Sequence, residues 1–260
     1  MQIGFWRKGL VLAGLAFAGA VGASESGEGH AAGVNWQEWR AGNEVENTAS
    51  LQRGASNFVN YCLGCHSLKY VRWSRLGNDL NIPQPLLEKS LLPAGAKTTD
   101  YIRSSFPAAD AEAWFGKAPP DLSLVARSRG TDWVYKFLKG FIADPTKVTG
   151  SNNLMLDGAS MPAVLSSLEG VKQAVFAEHG EAGGGHGGGP AVERFDYLSQ
   201  GSLTPEQFDG FVRDTVNFLD YVGDPGQVQR RNIGLWVVLF LLTFTVLALW
   251  LKNEYWKDVH

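Results

Sequence analysis

The 260-residue sequence holds only two cysteines, three positions apart, with a histidine directly after the second: Cys62-Leu63-Gly64-Cys65-His66. On a helical turn, side chains at i and i+3 project toward the same side. Two sulfurs at this spacing can therefore reach neighbouring points of one flat ligand, while the next residue turns an imidazole toward its centre. A C-x-x-C-H run is the attachment site of c-type haem. One covalently bound haem c is expected, joined by thioethers at Cys62 and Cys65, with His66 as one axial ligand of the iron. Two other chemistries of such a pair fit less well. Thiol–disulfide exchange of the thioredoxin type needs a βαβ context, which the surrounding pattern lacks. A zinc site needs further ligands at metal spacing, and His30, His179, His186 and His260 stand in glycine-rich or terminal stretches.

For the sixth position of the iron, methionine is the electron-transfer partner that raises the reduction potential. Beyond the initiator, the sequence offers Met155 and Met161. Met161 precedes Pro162, which restricts its backbone to extended conformations, and a fixed backbone helps hold a weak ligand. Met155, between Leu154 and Leu156, reads as core. Met161 is the expected ligand.

The elements that must position these residues read mostly as helices. Leu51, Ala55, Phe58, Val59 and Cys62 share one helical face, with Ser50 as the expected N-cap. Six prolines (Pro83, Pro85, Pro93, Pro107, Pro119 and Pro120) break the middle of the chain into loops with short helices. Thr131 to Phe141 predicts a helix with Val134, Phe137, Leu138 and Phe141 on one side. Thr204, Pro205 and Gln207 form a capping-box start for an amphipathic helix that Gly223 and Pro225 end. The low-complexity stretch 178–190 reads as a flexible surface insertion. The expected fold class is mostly α: a cytochrome-c-like haem domain with long loops, in which the helix near Leu51 packs against the one from Thr204, plus one C-terminal transmembrane helix.

The two ends of the chain differ from its middle. Residues 1–23 carry Arg7 and Lys8, an apolar run and the small residues Val21-Gly22-Ala23, the pattern of a cleaved signal peptide. A start rich in Gly, Glu and Ser follows from Ser24 to Val34 and is expected to be mobile. Ile233 to Leu251 runs 19 residues without a charge, which as a helix covers roughly 28 Å, enough for a hydrocarbon core of about 30 Å. Trp236, Trp250, Tyr255 and Trp256 suit its interfaces. Residues 24–232 are thus expected as a periplasmic domain, 233–251 as the span and 252–260 as a cytoplasmic tail. The four basic and two acidic residues outside 24–232 take the balance from 23 against 26 to 19 against 24. This acidic surplus argues against a nucleic-acid partner and suits a basic soluble one.

Four segments together resemble the cytochrome c1 family, the haem subunits of membrane quinol–cytochrome c oxidoreductases. Leu51 to Tyr70 (LQRGASNFVNYCLGCHSLKY) is similar to the family's haem-binding helix, and Ala118 to Gly130 (APPDLSLVARSRG) to its Pro-Pro-Asp-Leu-Ser segment. Ser160-Met161-Pro162 resembles the axial-methionine loop, and Asp220 to Trp236 (DYVGDPGQVQRRNIGLW) the junction into its anchor. The resemblance implies that Pro120 lies against the haem with its carbonyl toward His66, and that Arg129, with Arg127 as its rival, pairs with a haem propionate. It further implies a one-electron carrier without catalytic activity of its own, in the inner membrane beside cytochrome b, accepting from a Rieske iron–sulfur protein and donating to cytochrome c. The Gly/His stretch matches nothing in the family. Alternatives are a tethered cytochrome feeding a terminal oxidase or reductase directly, and a haem sensor with an open sixth site.

Overall fold

The computed structural model describes residues 33–177 and 191–258. The expectations for the signal peptide, for most of the acidic start, for the 178–190 insertion and for His260 lie outside the described residues. Helices dominate, joined by long loops. They are α1 (Thr48–Tyr61), α2 (Trp73–Asp79), α3 (Gln84–Ser90), α4 (Ala108–Phe115), α5 (Val125–Arg129), α6 (Thr131–Lys139), α7 (Ser166–Glu169), α8 (Pro205–Gly223) and α9 (Gln227–Trp256).

The frame is the pair α1 and α8. Leu51, Ala55 and Phe58 of α1 are buried against Phe208, Val212, Phe218 and Leu219 of α8, and the Phe58 and Phe218 rings lie 5.9 Å apart. The two backbones touch at Gly54, where a Cβ would fall 2.1 Å from the Asp214 carbonyl oxygen and 2.6 Å from Cβ of Phe218. Only glycine permits that approach. Polar links run along the seam. Arg53 and Ser50 donate to the Asp214 carboxylate at 2.5 Å and 2.6 Å, and Asn57 donates to the Phe211 carbonyl at 3.1 Å.

The start of α8 is as expected: Gln207 N–H donates to Thr204 Oγ1 at 3.3 Å, and Thr204 N–H to the Gln207 side chain at 3.0 Å. The start of α1 differs. Its N-cap is Asn47, whose side-chain oxygen accepts from Ser50 N–H at 3.1 Å. Ser50 lies one turn inside, its hydroxyl spent on Asp214. The helix from Thr131 stops at Lys139, and Phe141 opens a strand, still buried on the face predicted for it.

Strands are the main departure from the sequence reading. Three two-stranded antiparallel sheets occur among the described residues: β1 (Leu68–Arg72) with β2 (Tyr101–Ile102), β3 (Phe141–Ala143) with β4 (Ser151–Asn153), and β5 (Gly170–Phe176) with β6 (Val192–Gln200). Phe176 pairs with Val192 and the Ala177 N–H donates to the Ala191 carbonyl at 3.1 Å, so the 178–190 stretch joins the two arms of a hairpin. A small second core of Trp36, Ile142, Leu154, Ala174 and Val192 sits beside these sheets, distinct from the main one around α1 and α8.

Helix α9 extends the predicted apolar run at both ends. It is long and apolar enough to cross a membrane, and none of its most apolar stretch is covered by the rest of the chain.

Candidate functional site

Helix α1 delivers Cys62 at its C-cap, and the chain keeps turning beyond it. The N–H groups of Cys62 and Leu63 both donate to the Phe58 carbonyl at 2.9 Å, and those of Cys65 and His66 to the Cys62 carbonyl at 3.0 Å and 2.8 Å. The C-x-x-C-H residues therefore occupy one compact turn. Cys62 is partly buried against the main core and Cys65 is exposed. Burial, helped by the neighbouring Cys65, pushes the Cys62 thiol up to about 12. Gly64 at the crest faces open space, and its carbonyl accepts from Ser104 Oγ at 2.8 Å.

The segment after this turn is zipped to Pro120-Asp121-Leu122-Ser123. Leu122 N–H donates to the Ser67 carbonyl at 2.9 Å, Lys69 N–H to the Asp121 carboxylate at 2.8 Å and Tyr70 N–H to Ser123 Oγ at 3.3 Å. Asp121 also accepts from Ser123 N–H at 3.0 Å. These bonds place Nδ1 of His66 2.8 Å from the Pro120 carbonyl oxygen. A carbonyl only accepts, so Nδ1 carries the proton and the Nε2 lone pair is left for a metal. Burial holds the imidazole below its ordinary range, opposed by the Pro120 bond and the Asp121 charge, which favours the neutral form, the one that ligates. Two thiols and one imidazole with its tautomer fixed suit a c-type haem. Asp121 and Ser104 were not singled out in the sequence; the hydrogen bonds that define their part cross from distant segments.

The two methionines part company. Met161 packs against the main core, as does Cys62, whereas Met155 packs against the small second core with Leu154 and Trp36. The two arginines part likewise. Arg127 is committed to Asp224, donating to its carboxylate at 2.9 Å. Arg129 is exposed, its guanidinium 5.2 Å from the Trp133 ring centre, with no carboxylate partner among the described residues. No group of three or more His, Cys, Asp or Glu that could hold another metal occurs among the described residues.

The model of the Cytochrome C1 family matches residues 41–173 and 195–259, which include all of these residues. The chain belongs to the cytochrome c1 family. It is 46% identical over 217 residues to cytochrome c1 of Allochromatium vinosum, covering 84% of this chain and 87% of that one. It is 30% identical over 282 residues to cytochrome c1 of Rhodospirillum rubrum, covering 97% of each. A protein of Nitrosomonas europaea named ammonia monooxygenase gamma subunit is 38% identical over 211 residues, covering 81% of this chain and 84% of the relative. The cytochrome c1 family match leaves out residues 174–194, which include the end of β5 and the start of β6.

Proposed function

We propose that this chain is the one-electron relay subunit of a respiratory quinol–cytochrome c reductase. It takes electrons from a Rieske iron–sulfur protein, passes them to cytochrome c, and is bound beside cytochrome b in the inner membrane with its haem domain on the periplasmic side. The observation that carries this reading is the His66 imidazole, held through Nδ1 by the Pro120 carbonyl at the end of the C-x-x-C-H turn, in a chain of the cytochrome c1 family.

When bound, a single haem c supplies a metal centre that gains and loses one electron. The chain's own residues would do the rest. Cys62 and Cys65 hold the group covalently, so it survives in a compartment where free haem would be lost. His66 offers Nε2 from a turn held by four backbone hydrogen bonds, and Pro120 keeps the proton on the other nitrogen, making the ring a better donor. Met161, packed like Cys62 against the main core, would supply a further ligand to the iron. Arg129, exposed and without the carboxylate partner that Arg127 has in Asp224, would pair with a haem propionate. Helix α9 keeps the domain at the membrane surface, about four residues after α8 ends.

The experiment is peroxidase staining after denaturing electrophoresis, combined with identification of the subunits that co-purify from detergent-solubilised membranes. A stained band accompanied by cytochrome b and an iron–sulfur protein is expected. An unstained polypeptide removes the haem reading, and co-purification with a terminal oxidase alone replaces the reductase with the direct-feeding alternative.

A further inference from the structure

The loop that carries Met161 is governed from a side chain nine positions earlier. Asn152, at the centre of β4, uses the whole hydrogen-bonding capacity of its amide. Its Nδ2 donates to the Asp144 carboxylate at 3.1 Å and to the Asp157 carboxylate at 2.7 Å. Its Oδ1 accepts from Gly158 N–H at 2.9 Å and from Asn153 N–H at 2.8 Å. A primary amide has two N–H donors and two lone pairs, so nothing is left over. The first pair of bonds ties the β3–β4 turn to the loop; the second fixes the loop itself at Gly158, whose φ of +71° is open only to glycine at low cost. Three residues on comes Met161.

Asn153 secures the inner side. Buried at 3% exposure, it donates to the Phe137 carbonyl at 2.8 Å and accepts from Met155 N–H at 2.9 Å, joining the same loop to the C-terminal end of α6. Together the two asparagines pin the chain from β4 to Gly158, where a run of residues without strand or helix would otherwise wander.

We propose that Asn152 is a positioning residue for the axial methionine: its amide sets the turn at Asp157–Gly158 and so delivers the Met161 sulfur to the iron. This rests on the reading of Met161 as the ligand. The Met–iron bond is weak, so a small loosening of its tether shows in how often the sixth position stands open. Carbon monoxide reaches the reduced iron only through that open state, and its binding rate reports the open fraction directly.

The test uses the full-length, membrane-purified protein with haem attached. In Asn152→Ala the carbon monoxide binding rate of the reduced form is expected to rise about fivefold, which converts to ~1 kcal/mol, with a weakened methionine-to-ferric-iron charge-transfer band and a lower reduction potential. Asp157→Ala cuts one of the four bonds at an exposed side chain and gives a smaller change in the same direction, so the idea stays testable if Asn152→Ala folds poorly. Tyr221→Phe, which removes the 2.8 Å bond from Tyr221 to Asp79 and none of the bonds of Asn152, controls for stability alone and leaves rate and band as they were. An Asn152→Ala protein with unchanged rate, band and potential overturns the proposal, and so does an equal change in Tyr221→Phe. Met161→Leu separates the two levels: a surviving band there overturns the ligand assignment itself, whereas a lost band beside a silent Asn152→Ala overturns only the role of Asn152.

Discussion

The Arg127 guanidinium donates to the Asp224 carboxylate at 2.9 Å, tying the helix that follows the Pro-Pro-Asp-Leu-Ser segment to the residue where α8 gives way to α9. Arg230, in the first turn of α9, closes on the same carboxylate at 2.5 Å. One acidic side chain therefore joins three helices at the membrane end of the domain.

Those two arginines, Arg230 first, hold the Asp224 carboxyl below its usual range. A carboxylate whose folded pKa is depressed contributes stability above its unfolded pKa and loses it as pH falls through the folded one. The Asp224→Asn protein should therefore melt below the parent at pH 7, and the two melting temperatures should converge as pH is lowered through and below the carboxylate range. A gap that stays constant from pH 7 to the acid limit contradicts this.

Gly54 lies where α1 meets the backbone of α8, so Gly54→Ala drives a methyl into the Asp214 carbonyl. Overpacking of this kind costs about 1–3 kcal/mol, and a domain of this size loses about 2–4 °C in melting temperature for each kcal/mol. Thermal unfolding followed by circular dichroism measures it. An unchanged melting temperature means the helices can separate freely there.

Lys172 is 3% exposed and its ammonium is bonded to the Glu169 carboxylate and, at 2.7 Å, to the Lys139 carbonyl. Removing one member of a buried pair strands the other, at about 3–5 kcal/mol. Lys172→Met and Glu169→Gln should each be strongly destabilising, and the double variant should be less so than the sum of the two. Simple additivity in chemical denaturation shows that the pair is not coupled.

Met161→Leu should abolish the charge-transfer absorbance of the ferric protein and lower its reduction potential, while Met155→Leu, altering the second core, should do neither. The opposite outcome moves the ligand to Met155.

Cys65→Ala should leave a single thioether and shift the pyridine haemochrome band to longer wavelength. An unmoved band means that Cys65 makes no bond to the cofactor.

What the sequence revealed and what it hid divide along the range of the interactions. α1 and α8 were legible because an apolar stripe of period 3.6 and a capping box are local signals, and the C-x-x-C-H turn is local too. Ser50 was misread as a cap because Asn47 offers the same chemistry three residues earlier and Ser50 has its partner on α8. The strands escaped notice because β1 to β4 are five residues or fewer, and because β5 inverts the usual alternation. Gly170, Lys172 and Ala174 face inward while Val171 and Phe176 face out, and a lysine at the centre of a buried face can be understood only once Glu169 is seen beneath it. Of the residues beyond the motif, Pro120 and Arg129 came from family resemblance alone. Asn152 came from neither, since the four bonds of its amide are made to residues as far as eight positions away across two turns.

The pairing of Phe176 with Val192 carries a practical meaning. A loop whose two ends are already brought together adds little closure entropy when lengthened, about 0.6 kcal/mol for each doubling. Residues added between these paired ends therefore cost the fold little, so an affinity handle or a fluorophore can be inserted there while the β5–β6 pairing is kept.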